Sequence, residues 1–136
     1  MATWSEVQQY IRSNYTVQNE TRGDSGREAM SLVFALGAGR TQILSVEGPM
    51  NPPLEFLPNF VGFFSPIGKR ADVSAEKLLD NDYTSMLGVV TRGDYYGLYH
   101  AALIDTVDAP EIDEPIQLIT WLADRFEQEL TGKDDF

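Results

Sequence analysis

Two runs of alternating residues, each reversing about glycine, constrain the fold of this chain most. In "MSLVFALGAGRTQILSV", Met30, Leu32, Phe34 and Leu36 alternate with Ser31, Val33 and Ala35. On the return, Gln42, Leu44 and Val46 alternate with Ile43 and Ser45. A period of two places successive side chains on opposite faces of a strand. Gly37, Ala38 and Gly39 between the runs suit a tight reversal, since glycine accepts positive φ at little cost. The stretch therefore predicts an antiparallel hairpin. "SMLGVVTRGDYYGLYHAALIDTV" repeats the arrangement. Met86 to Val90 enter, Tyr96 to Ile104 leave, and Arg92-Gly93-Asp94 falls at the reversal.

Helical signals lie around the hairpins. Thr3 and Glu6 have capping-box spacing, with Trp4, Val7 and Ile11 on one face and Tyr10 beside them; the pattern ends near Asn14. Ser74 suits an N-cap, Glu76 favours a first turn, and Val73 and Leu78 stand at staple spacing. Near the C-terminus, Asp113 is the expected cap of a long helix, with Pro115 in its first turn and Gly132 as its stop. Ile116, Ile119, Leu122, Ala123, Phe126 and Leu130 form its apolar stripe, which Leu118 and Trp121 widen. "TRGDSGRE" reads as a polar loop. "LEFLPNFVGFFSPIG" reads as a bent or edge strand centred on Phe60 to Phe64, because Pro58 cannot donate to a ladder. The expected order is α-β-β-β-α-β-β-α: an α+β fold with a single antiparallel sheet of about five strands and flanking helices. Residues 1–132 form one domain on this reading, and 133–136 a frayed acidic tail.

Little in the chain points to catalysis. It has no cysteine, which removes disulfides, thiolate zinc sites and thiol nucleophiles. The single histidine, His100, alternates in phase with the second hairpin and has no G-x-S-x-G nucleophile to partner it. A sheet histidine with a structural role is the favoured reading. The acidic run "DTVDAPEIDE", Asp105 to Glu114, lacks the central glycine of a calcium loop and reads as a solvated approach to a helix start. No phosphate-binding or zinc-protease motif is present. The expectation is a chain with no catalytic residues, no metal and no cofactor.

Arg-Gly-Asp occurs twice, at Arg22 to Asp24 and at Arg92 to Asp94. Both copies have a sufficient cause in turn chemistry, since Gly and Asp supply backbone freedom and local hydrogen bonding. Turn chemistry is favoured over an integrin-adhesion signal. The net charge of −11, from 21 acidic and 10 basic residues, repels phosphate backbones and anionic membranes and attracts basic partners. With no apolar leader or membrane span in the sequence, a cytoplasmic location is expected.

The apolar segment is the most suggestive feature. Leu54, Phe56, Phe60, Val61, Phe63 and Phe64 could fill a core, or could form a strip that takes up a partner segment. The order of elements resembles type III secretion chaperones and the YbjN-like proteins of bacteria. "EPIQLITWLADRFEQEL" is similar to the last helix of the YbjN-like proteins, and "MSLVFALGAGRTQILSVEGPM" to their first hairpin. The resemblance implies a non-enzymatic, chaperone-like or regulatory module that binds another protein or peptide segment, often as a homodimer. From the acidic charge and the lack of an apolar span, neither nucleic acid nor membrane is expected as partner, and no site residue is carried over by the resemblance. The alternative is a small carboxylate-dependent hydrolase or ligand-binding domain.

Overall fold

The computed structural model describes residues 1–22, 27–50, 59–81, 87–132 and 136. Its elements are α1 (Trp4–Asn14), β1 (Val17–Arg22), β2 (Glu28–Ala35), β3 (Thr41–Met50), β4 (Phe60–Lys69), α2 (Ala75–Leu79), β5 (Gly88–Arg92), β6 (Tyr95–Leu103) and α3 (Ala109–Thr131). The fold is α+β, with one open sheet of six strands in the order β1-β2-β3-β4-β6-β5. Every neighbouring pair is antiparallel.

Both predicted hairpins form. β2 and β3 pair Met30 with Val46 and Leu32 with Leu44, and the turn takes positive φ at Gly37, Ala38 and Gly39. β5 and β6 reverse through Gly93 and Asp94 alone, with Gly93 at φ 55°. The expected start at Met86 lies outside the described residues.

Three features differ from the sequence reading. A sixth strand, β1, runs along β2 where the sequence is polar, "VQNETR", and five of its six residues are exposed. An exposed edge strand has no buried face, so it shows no alternation to detect. Phe60 to Phe64 do not lie on an edge strand, and the β3 ladder opposite Phe60 and Gly62 is irregular. They open β4, which is central, between β3 and β6. Pro58 lies outside the described residues, and the proline inside β4 is Pro66, which sits at the register shift before Gly68. Finally, α3 starts five residues earlier than expected. Asp108, not Asp113, is its N-cap, with a reciprocal capping box to Glu111 and Pro110 in the first turn. Pro115 is interior to the helix.

The three helices lie on one face of the sheet. Trp4 of α1 covers Gly48, Val73 before α2 covers Gly68, and α3 crosses β4, β3 and β6. Met30, Leu32, Leu44, Val46, Val61, Phe63 and Leu98 point to this face and are fully buried beneath Ile112, Ile116, Ile119, Leu122 and Phe126. Asp113, read from sequence as a cap, instead ties α1 to α3. It accepts hydrogen bonds from the hydroxyls of Tyr10 (2.7 Å) and Tyr15 (2.5 Å). α3 ends at Gly132 in the left-handed region, as expected. Of the tail, 133–135 lie outside the described residues; the Phe136 ring meets Tyr95 edge-on at 5.4 Å.

Candidate binding surface

Strand alternation sorts the six residues proposed from sequence. Val61 and Phe63 point to the helix-covered face and are fully buried. Phe60 and Phe64 point to the opposite face, where Phe60 is half-buried and Phe64 is 8% exposed. Leu54 and Phe56 lie outside the described residues. The segment is thus split between core and second face, as a strand with side chains on alternating sides must be.

Among the described residues no helix lies on that second face. An antiparallel sheet can leave one face to solvent, and its side chains there are usually polar. Here they are largely apolar and weakly charged: Val33 on β2, Ile43 on β3, Phe60, Phe64 and Pro66 on β4, Tyr99, Ala101 and Leu103 on β6, and Val90 on β5. Val33 and Leu103 are each 37% exposed.

The centre of the face is built by a specific device. Phe64 and Tyr99 are cross-strand partners, and the outer end of each side chain lies over a glycine of the neighbouring strand. Phe64 occupies the space a Cβ at Gly97 would need, and Tyr99 the space a Cβ at Gly62 would need. Arg92, from the end of β5, then reaches over the Phe64 ring at 4.0 Å and lies 6.0 Å from the Tyr99 ring. Its guanidinium forms a two-pronged ion pair with Glu47 of β3, one arm at 2.8 Å and the other from Nη1 to Oε1. Glu47 is 5% exposed, and its carboxylate is held by the Arg92 cation, which itself lies over the Phe64 ring, and by the Ser45 hydroxyl at 3.3 Å. Burial, and then the Glu47 carboxylate, push the Tyr99 phenol above its ordinary pKa. The Tyr99 hydroxyl lies 2.9 Å from the Met50 sulfur.

Sequence reasoning missed this cluster. Its signal was present: glycines inside two strand patterns, at 62 and 97, each with an aromatic residue two positions further on. Glycine within a strand marks close approach of another group.

The other candidates fall into place around it. The Arg-Gly-Asp at 92–94 is a hairpin turn whose arginine is engaged by Glu47, and Arg22 of the first copy pairs with Glu28 at 2.7 Å. Gly23 and Asp24 lie outside the described residues. His100 is on the helix-covered face, stacked on Phe63 at 6.2 Å, and burial lowers its pKa. Among the described residues, no group of three or more His, Asp and Glu is placed to hold a metal ion. No described helix is long and apolar enough to cross a membrane. No protein-family model matches the chain, and no match to it was found among curated proteins.

Proposed function

We propose that the chain is a non-enzymatic, chaperone-like or regulatory protein-binding module, of the kind its element order resembles in YbjN-like proteins and type III secretion chaperones. The observation that carries this reading is the second sheet face, apolar and without a helix over its described residues. The partner is a polypeptide segment that presents apolar side chains at spacing two, flanked by Lys or Arg. The apolar residues match Val33, Ile43, Ala101 and Leu103, while the flanking cations answer the net charge of −11. The same negative charge keeps the protein soluble while the apolar face is open.

The test uses two synthetic peptides of alternating Leu and Lys or alternating Leu and Glu. Binding is followed by fluorescence anisotropy with the parent and with a Val33→Ser, Leu103→Ser double variant. The basic peptide should bind and the acidic one should not. The double variant should bind about tenfold more weakly while melting with the parent, consistent with the loss of two half-exposed apolar contacts. Equal affinity of parent and double variant, or equal affinity for both peptides, would refute the proposal.

A further inference from the structure

The second sheet face carries an apolar side chain that comes from outside the sheet. Thr41, Ile43 and Glu47 of β3 and Tyr95 and Tyr99 of β6 share that face by strand alternation. Thr41 opens β3, Tyr95 opens β6 and Lys69 closes β4, so the three stand at one end of the sheet. Phe136 sits there. Its ring meets the Tyr95 ring edge-on at 5.4 Å, and its backbone oxygen accepts a hydrogen bond from the Thr41 hydroxyl at 3.2 Å. Because β4 lies between β3 and β6, Phe136 bridges the two strands across the end of β4. Phe136 and Tyr95 are both half-buried.

α3 finishes on the other face of the sheet. The methyl group of Thr131, its last residue, lies 3.0 Å from where a Cβ at Gly68 would stand, on the side that Val73 also covers. The chain therefore changes face between Gly132 and Phe136. The hold on Phe136 is weak by construction. An edge-on aromatic pair and a single hydrogen bond each amount to a factor of about two to ten in an equilibrium. Ordering the chain that leads to Phe136 offsets part of that gain. A competitor of modest affinity is enough to take the place of the ring.

We infer that Phe136 is an internal occupant of the second face, and that a partner segment must displace it. The inference rests on the function proposed for that face and adds how access to it is regulated. Phe136 is of the same class as the side chains the partner presents, an apolar group seated against the face. Ile43, one of the residues the partner covers, is one side-chain spacing from Thr41 along the strand, about 7 Å. A segment that continues from Ile43 past Thr41 meets the Phe136 ring. The apparent affinity of the partner is then lowered by the fraction of molecules in which the ring is in place.

The basic alternating Leu–Lys peptide is the probe, and the parent is compared with Phe136→Ala. The substitution changes no charge and no core residue. Without peptide, it should shift the backbone amide signals of Thr41 and Tyr95 in a proton–nitrogen spectrum and leave those of Ile116 and Ile119 in place. With peptide, the variant should bind about two- to tenfold more tightly than the parent, because no ring has to leave the face. At saturating peptide, the Phe136 amide of the parent should take the position it has in an isolated hexapeptide of residues 131–136. A Phe136 that gripped the partner would give the opposite sign, so weaker binding by the variant overturns the inference. Unmoved Thr41 and Tyr95 signals overturn it equally, as does a Phe136 amide that stays in place at saturation. Equal affinity of parent and variant refutes the displacement alone. Absence of binding to both refutes the proposed function of the face and the displacement with it.

Discussion

At the scale of single residues, the two faces of β4 make opposite predictions. Phe63 and Phe126 are at most 1% exposed and meet in the core between sheet and α3. Phe126→Ala should cost about 3–5 kcal/mol, read as a lowered midpoint in denaturant. Phe63→Ser should be at least as damaging, because it also buries a hydroxyl. Phe60 is half-buried on the second face, and Phe60→Ser should leave a cooperative fold. Gly97 is the sharper test of the aromatic pair. An alanine there would put a methyl group where the Phe64 ring lies, so the ring must lift from the sheet and disturb Arg92. Gly97→Ala should cost about 1–3 kcal/mol, the range of an overpacked site. A variant as stable as the parent would show that the ring's position is not held. Arg92→Ala should also destabilise, since it leaves the buried Glu47 carboxylate without its cation.

At the scale of elements, α1 is held to α3 through the paired tyrosines on Asp113, and this makes the contact sensitive to base. Burial and then the bond to Asp113 push the Tyr15 phenol up, and the bond to Asp113 does the same for Tyr10. A pKa raised in the folded state stabilises the fold fully below the unfolded tyrosine value, about 10, and that contribution is lost as pH rises beyond it. Stability should therefore fall above about pH 10, and Tyr15→Phe should make that fall shallower. Chemical denaturation at a series of alkaline pH values measures both; parallel curves for parent and variant would contradict the clamp. The same scale shows what could be read without coordinates. The hairpins were legible because each buries one face and so alternates, and the stop of α3 because Gly132 adopts positive φ. β1 was not legible, because an edge strand with polar residues on both sides has no period to show. The start of α3 was misplaced because Asp113 with Pro115 imitates the signature that Asp108 with Pro110 provides five residues earlier. The Phe64, Tyr99 and Arg92 cluster needs the register of three strands at once, which no local pattern contains.

At the scale of the whole molecule, the three helices share one face of a six-stranded sheet and the apolar side chains do not. The core under α3 accounts for Val61 and Phe63; it leaves Val33, Ile43, Ala101 and Leu103 facing away from the helices. On the proposed reading, the net charge of −11 sets the sign of the partner that this face would draw. The most direct test is to map a basic alternating Leu–Lys peptide onto the protein by backbone amide shifts during titration. The account predicts saturable shifts concentrated on β2, β3 and β6 at Val33, Ile43, Ala101 and Leu103, with the buried Ile116, Ile119 and Phe126 of α3 unmoved. Shifts confined to α3, or none on the sheet at saturating peptide, would contradict it.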